Sequence, residues 1–280
     1  MPMQRRAFLG ALVAPMVLKP CLAFSQTTLA GLKSAGVVRI GLANQPPYSS
    51  VSPDGTVGGL VPAIVRQVME KLGVPGIEAS VASYGQLIPG LQAGRWQMIG
   101  AAFRLSKERC AAVLFTDPVV FDGGAMAFVT SEVPNPPADI RSLAAVDGPV
   151  GILQGSYLVR LAVSLGVAQD RILQFPDNPA LIDGLLAKRV KVAISTDNSL
   201  RDLQKQRGGF EIQYPLADDP PVGSAPAFAL GDTELHAAFQ QELRAMRASG
   251  ELDRLAAQFG FSPPPEALKS IGAEEACKRL

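Results

Sequence analysis

Residues 102–118 carry the side chains that a small anion would need. The stretch reads as a strand end at Phe103 and Arg104, followed by a short helix. That helix opens at Ser106 and holds Arg109 in its first turn. Free N–H groups at a helix start attract anions, and a guanidinium offers a carboxylate two parallel donors. Strand ends of open α/β sheets face the ligand crevice, so the stretch predicts a carboxylate pocket at Arg109. Taken alone, it also fits a solvated surface arginine.

Several other polar and aromatic residues could line the same crevice. Tyr48 and Tyr84 lie beside turn signals, not inside apolar runs, which favours a role as walls of a binding site. Tyr157 is expected either to line the cleft or to cap a helix, and Arg104 to face either cleft or solvent. Trp96 is expected in the core.

The sequence offers little for metal, cofactor or acid–base chemistry. The single histidine, His236, falls on a predicted outer helix, and no paired carboxylates fall at predicted cleft positions. We therefore expect no metal, no cofactor and no catalysis. Asp117 is expected to cap the turn before Pro118.

The first 25 residues read as an export signal of the twin-arginine type. Arg5-Arg6-x-Phe8-Leu9 precedes an apolar run too short to span a membrane, and cleavage is predicted near Ala23 or Ser25. A membrane-anchoring helix and a lipid anchor at Cys21 are the alternatives. The mature part keeps Cys110 and Cys277, which in an oxidising compartment could form a disulfide or remain two free thiols.

Charge and length limit the remaining classes. The formal net charge is +1 with both signs interspersed, so nothing indicates a nucleic-acid partner. Removing the signal leaves roughly 255 residues, a length at which one core tends to split into two.

Strands and helices alternate along the first part of the chain. Residues 37–42 read as a buried strand, 60–72 as a core-facing helix and 77–81 as a second strand. A helix from Ser83 and a strand at 96–101 follow. This order predicts a largely parallel sheet covered by helices.

A near repeat predicts that the chain builds this unit twice. Residues 87–95 match residues 181–189 at an offset of 94, and an apolar strand follows each copy. The same offset carries Phe103 and Arg104 to Asp197 and Asn198. The two strand ends are therefore expected to face one cleft from opposite sides.

Composition suggests where the two lobes divide. Residues 36–127 are assigned to the first part of lobe 1, residues 128–218 to lobe 2 and residues 219–262 to the return to lobe 1. Residues 263–280, which begin with three prolines, are expected to form a polar tail.

An ordered set of motifs resembles the periplasmic amino-acid-binding proteins of ABC importers. The set comprises Arg39-Ile40-Gly41 before Pro47-Tyr48, Leu91-x-Ala93-Gly94-Arg95, Lys107-Glu108-Arg109 leading to Phe115-Thr116-Asp117-Pro118, Gly155-Ser156, and Met246 to Gly250. The resemblance implies a two-lobed α/β fold of the type II periplasmic-binding-protein kind, with two hinge strands. It places the carboxylate-binding arginine on Arg109 and a second-lobe donor on Ser156. A further ligand-facing position falls on Thr196 or Asp197.

Within that family the chain looks most like the ectoine- and hydroxyectoine-binding proteins. Two positions of their aromatic cage fall on Tyr48 and Tyr84. The third falls on Arg104, which we expect to repel a cation, and an acidic position falls on Gln45, which cannot supply a counter-charge. Phe103 is the candidate replacement for the missing aromatic. A ligand with an extra carboxylate or a neutral polar side chain is the alternative.

The resemblance implies a periplasmic, monomeric receptor for a small zwitterionic amino-acid-like or ectoine-like solute. Its expected partner is the membrane permease of an ABC importer. An enzyme on the same fold, of the dehydratase kind, and a binding subunit of a sensor system remain the alternatives.

Overall fold

The computed structural model describes residues 27–280. The predicted export signal and its cleavage sites lie outside these residues. Among the residues described, no helix is both long and apolar enough to cross a membrane.

The strands of the described chain form two main sheets and a small hairpin. The first sheet has the spatial order β4 (Gly76–Val81), β1 (Val37–Leu42), β5 (Met98–Arg104), β13 (Val222–Phe228) and β6 (Leu114–Phe115), with β7 (Val120–Asp122) also paired to β13. The second has the order β10 (Ile172–Phe175), β9 (Val150–Leu153), β11 (Val192–Thr196), β8 (Gly124–Phe128) and β12 (Glu211–Gln213). The hairpin joins β2 (Ser50–Val51) to β3 (Val57–Gly58).

The two sheets repeat one arrangement. In each, three parallel strands are followed by an antiparallel strand, which is β13 in the first sheet and β8 in the second. The helices α3 (Tyr84–Gln92) and α6 (Asn178–Leu186) are the two copies of the repeated segment, and their first residues are 94 positions apart. The predicted two-lobed α/β architecture is therefore confirmed.

The remaining helices cover the two sheets. They are α1 (Leu29–Ala35), α2 (Leu60–Lys71), α4 (Lys107–Cys110), α5 (Tyr157–Ser164), α7 (Asp197–Arg207), α8 (Thr233–Ala248), α9 (Glu251–Gln258), α10 (Glu266–Lys269) and α11 (Ala273–Lys278). Short 3-10 turns occupy Arg141–Ala145 and Gln169–Arg171.

Trp96 lies in the first-lobe core, as predicted. Its ring fills the space left by two glycines, because a Cβ on Gly41 would lie 2.3 Å from the indole and one on Gly90 only 2.0 Å. The indole nitrogen donates to the carbonyl oxygen of Leu87 at 3.2 Å. The start of the repeated helix is thereby fixed to its sheet.

The chain passes between the sheets at two places. Strand β7 pairs in the first sheet and β8 in the second, so one crossing lies between Asp122 and Gly124. The other lies between β12 and β13. The division of the lobes after residues 127 and 218 stays a prediction, and the pairing of β8 favours an earlier first crossing.

The C-terminal segment packs on the first lobe, unlike the polar tail that its composition suggests. Ile271 and Ala276 are buried in the first-lobe core. A disulfide joins Cys277 to Cys110 at the end of α4, with 6.0 Å between the Cα atoms. Of the two alternatives left open by the sequence, the structure therefore has the bridge.

Candidate functional site

A cavity lies between the two sheets, at the carboxyl ends of β5 and β11. Its lining is Gln45, Tyr48, Tyr84, Ala102, Arg104, Arg109, Asp122, Leu153, Ser156, Tyr157, Leu158, Ser195, Thr196 and Ser224. Every site residue predicted from the sequence lines it except Phe103 and Asp197. The volume open to the centre of a water molecule is about 30 Å³, so the cavity has room for about two waters. A larger solute must therefore enter when the lobes move apart.

Arg109 presents a buried guanidinium to this cavity. The Ser106 side chain caps α4 by accepting from the Arg109 backbone N–H at 3.3 Å, which fixes the helical turn. One guanidinium nitrogen, Nη1, donates to the Arg104 carbonyl oxygen at 2.8 Å. The side chain forms no ion pair within residues 27–280, and burial lowers its pKa to about 10, so it stays charged at neutral pH.

Phe103 supports the site from behind. Its ring is 3.9 Å from the Cζ of Arg109 and stacks on Tyr84, with 6.3 Å between ring centroids. The side chain is fully buried and does not line the cavity. Phe103 therefore positions two cavity residues. It does not form the third wall of an aromatic cage, which was its expected role.

A hydrogen-bonded chain of side chains crosses the cleft at Gln45. Its Nε2 donates to Thr196 Oγ1 of the second lobe at 3.0 Å, and its Oε1 accepts from the Tyr84 hydroxyl. Burial raises the pKa of Tyr84, so its hydroxyl remains a donor at neutral pH. Gln45 thus joins the lobes through a neutral amide.

Tyr48 is bonded to a cavity carboxylate, Asp122, which the sequence analysis did not predict to be in the site. Its hydroxyl donates to Asp122, and Asn198 Nδ2 of the second lobe donates to the same hydroxyl at 3.2 Å. Desolvation raises the pKa of Asp122 to about 6 although the bond from Tyr48 opposes the rise. The ring of Tyr48 packs edge-on against Phe261.

Arg104 faces the cleft but carries no free charge. Its Nη2 lies 2.8 Å from Asp219 Oδ1, and its Cζ lies 4.0 Å from the centroid of the Tyr157 ring. The expectation that Arg104 repels a cationic ligand stays a prediction. The ion pair argues against it, because a buried acid compensates the charge of the guanidinium.

Ser156 and its neighbours form the opposite wall. The Ser156 hydroxyl caps α5 by accepting from Leu158 N at 3.3 Å, and Tyr157 lines the cleft. Gly155, at φ +70°, lets the lobes touch, since a Cβ there would lie 2.6 Å from the Gly85 nitrogen. Of the paired candidates Thr196 and Asp197, only Thr196 lines the cavity.

Three polar residues outside the cavity have structural partners. Asp197 forms an ion pair with Arg201 at 2.8 Å. Asp117 pairs with Arg244 at 2.9 Å and accepts from the Ala273 N–H at 3.0 Å, which ties α11 to the first lobe and replaces the predicted turn cap. His236 on α8 lies 2.8 Å from the Phe115 carbonyl oxygen and is not a cavity residue.

Two carboxylates, Asp122 and Asp219, are the functional residues that sequence reasoning missed. The expectation that no paired acids fall in the cleft is wrong, because both acids are buried beside it. Each lies in a short segment that precedes a strand, 121–124 and 218–221, and neither acid was assigned to the site. The sequence did contain a signal for them, since each acid lies in a segment where the chain passes from one lobe to the other and must run beside the cleft. Among residues 27–280 no acid, histidine or cysteine cluster could hold a metal ion.

The arrangement of two similar lobes around a polar cavity agrees with comparisons to known proteins. A family model described as "Bacterial extracellular solute-binding proteins, family 3" matches residues 38–262. The chain belongs to this family.

The chain is similar to several known proteins. One is y4tE of Sinorhizobium fredii, a probable amino-acid ABC transporter periplasmic-binding protein. It is 28% identical to this chain over 84% of this chain's length and 81% of its own length. The L-arginine-binding protein of Pseudomonas aeruginosa is 26% identical over 90% of this chain and 95% of its own. The crystal structure of EhuB with hydroxyectoine superposes with a TM-score of 0.83, at 33% identity over 89% of this chain and 97% of that one. The fold is that of two-lobed type II periplasmic-binding proteins.

Proposed function

We propose that this protein is the periplasmic solute-binding component of an ABC importer and holds a small zwitterionic solute, amino-acid-like or ectoine-like, between its lobes. The observation that carries the proposal is Arg109, a buried guanidinium at the cavity with no acid paired to it within the described chain. Burying an uncompensated charge is unfavourable, so such a group is best explained by a ligand that neutralises it. A carboxylate fits its planar donors.

The other walls suit the remainder of such a solute. Ser156 offers a hydroxyl from the second lobe, and Tyr48 and Tyr84 offer aromatic faces. Hinge bending at the two crossings would open the cleft for entry and close it over the ligand. Binding in this scheme requires no bond to be made or broken.

Delivery to a membrane permease, a periplasmic location and a monomeric state complete the proposal. Relatives named as periplasmic-binding proteins of amino-acid ABC transporters support the first two. Export by a twin-arginine signal on residues 1–25 remains a prediction. Reporting to a sensor system would use the same cleft and remains the alternative partner.

The test is a calorimetric screen of the mature protein against ectoine, hydroxyectoine, the amino acids and small dicarboxylates. Arg109→Gln should weaken any hit by roughly 100-fold, since it removes one partner of a buried charge pair. The matched control is Arg95→Gln, which changes an exposed arginine of the same lobe and should leave affinity unchanged. Equal affinity of the two variants would refute the carboxylate site.

One observation favours a second candidate, an enzyme of the dehydratase kind. Asp122 is buried in the cleft with a pKa near 6, which suits a general acid or base. Incubating each hit with the protein and following its concentration by NMR distinguishes the two. A receptor returns the solute unchanged after hours, whereas consumption of the solute would establish the enzyme.

A further inference from the structure

We propose that Asp122 is the specificity-determining residue that pairs with the cationic group of the bound solute. This inference rests on the proposed function, since it names the partner for the second charge of a zwitterion. The residue lies on β7, where the chain first leaves the first sheet, and its side chain reaches the cavity.

The two cleft acids differ in what already satisfies them. Asp219 accepts from Arg104 at 2.8 Å, from the Tyr157 hydroxyl at 2.7 Å and from the Gly124 N–H at 2.5 Å. Asp122 accepts only the Tyr48 hydroxyl as a side-chain bond among residues 27–280. None of the ion pairs in this part of the chain includes Asp122.

Burial makes this difference consequential. Asp122 is 5% exposed, and a buried carboxylate with one donor is strongly disfavoured in its ionised form. The fold nevertheless keeps an acid there. A carboxylate that is buried away from water without a cationic partner is most simply explained by a positive charge on the bound ligand.

The cavity then holds two uncompensated charges of opposite sign. Arg109 supplies the positive one, and Asp122 the negative one. Both act on the pKa of Tyr84, Arg109 lowering it and Asp122 raising it, so both lie within electrostatic reach of that one cavity side chain. A solute carrying a carboxylate and an ammonium or amidinium complements this pair.

Asp122 also resolves the missing counter-charge at Gln45. The amide of Gln45 is used to join Tyr84 to Thr196. Arg104, the nearest competing cation, is fixed by Asp219 and by the Asp122 carbonyl oxygen at 2.9 Å. Asp122 therefore supplies the negative charge that Gln45 lacks.

The first arm of the test uses the mature protein without solute. Asp122→Asn preserves shape and the acceptor for Tyr48 but removes the charge, so it should raise the unfolding temperature by about 3–6 °C at pH 8. The gain should shrink at pH 4.5, where wild-type Asp122 is protonated. Asp219→Asn is the matched control, and it should destabilise because it leaves Arg104 unpaired. A loss of stability in Asp122→Asn at pH 8 would show a structural acid and overturn the proposal.

The second arm measures binding of hydroxyectoine, L-alanine and L-lactate, the last of which carries a hydroxyl in place of the ammonium of L-alanine. Any zwitterion that binds the wild type should bind Asp122→Asn at least about tenfold more weakly, while lactate should bind the variant no more weakly than the wild type. Equal losses for alanine and lactate, or an unchanged zwitterion, would overturn the proposal. If no solute of the wider panel binds the wild type, the proposed function fails, and the first arm still decides the role of Asp122.

Discussion

At the scale of single residues, the titration of Asp122 predicts how binding depends on pH. The groups that face it are Tyr48, Arg104, Asp219 and Asp197, and their effects together with burial place its pKa at about 6. The ionised form is the one that attracts a cation. Affinity for a zwitterion should therefore be constant above pH 7 and fall by up to about tenfold per pH unit below 6.

Titration calorimetry between pH 4.5 and 8 measures this dependence. An α-carboxyl group with an ordinary pKa near 3.5 stays ionised over the range, so Arg109 keeps its partner. The Asp122→Asn variant should show a flat profile over the same range. A wild-type profile as flat as that of the variant would mean that Asp122 does not meet the solute.

The residue scale also shows what a sequence can and cannot disclose about a site. Arg109 was predictable because its helical turn and the preceding strand end are local features. The pairing that compensates the charge of Arg104 was not predictable, because its partner Asp219 lies 115 positions away. The hydrogen bond between Tyr48 and Asp122 was not predictable either, because the two residues are 74 positions apart. Residue types gave the candidates, whereas long-range pairing decided their charges.

At the scale of elements, Gly155 is expected to control the contact between lobes. It connects β9 to α5 at φ +70°, and an added Cβ would meet the Gly85 nitrogen at 2.6 Å. Gly155→Ala should therefore hold the lobes apart and weaken solute binding by about tenfold or more.

Gly166→Ala is the matched control for this prediction. Gly166 has φ +99° and open space around it, so it bears a similar backbone penalty of about 1 kcal/mol without a steric clash. Calorimetry and small-angle scattering should find weak binding and an enlarged radius of gyration only in Gly155→Ala. Equal behaviour of the two variants would assign the effect to backbone strain.

Element prediction succeeded where the pattern is local and failed where distant partners stabilise the structure. The periodicity of residues 60–72 anticipated α2, and the predicted outer helix that holds His236 is α8. The short helices α10 and α11 were missed because their polar composition carries no periodic signal. Contacts from Asp117 and Cys110 hold that segment in place.

At the scale of the whole molecule, three side-chain hydrogen bonds join the loop after β1 in the first lobe to the start of α7 in the second. They link Gln45 to Thr196 at 3.0 Å, Asn198 to Tyr48 at 3.2 Å, and Ser199 to the Pro46 carbonyl oxygen at 2.7 Å. The internal repeat allowed two lobes to be predicted. The repeat could not predict these three bonds, because it indicates two similar units but says nothing about the surface on which they contact each other.

These bonds predict the kinetics of capture. All three join groups of the protein itself and need no atom of a solute, so we expect the free protein to form them, and the small cavity then admits a solute only while they are broken. The observed binding rate should rise with solute concentration and then level off at the rate of lobe opening. Stopped-flow energy transfer between dyes on the two lobes measures it. A rate that rises linearly up to saturating solute would mean that the lobes are mostly apart in solution.

The Ser199 bond also bears on how long a captured solute stays. Neither Ser199 nor Pro46 lines the cavity, so a solute held there does not contact the two groups of this bond. Residence time then has two separate sources, the solute's own contacts and the hold of one lobe on the other. Evolution could lengthen or shorten retention at Ser199 without altering which solutes are chosen.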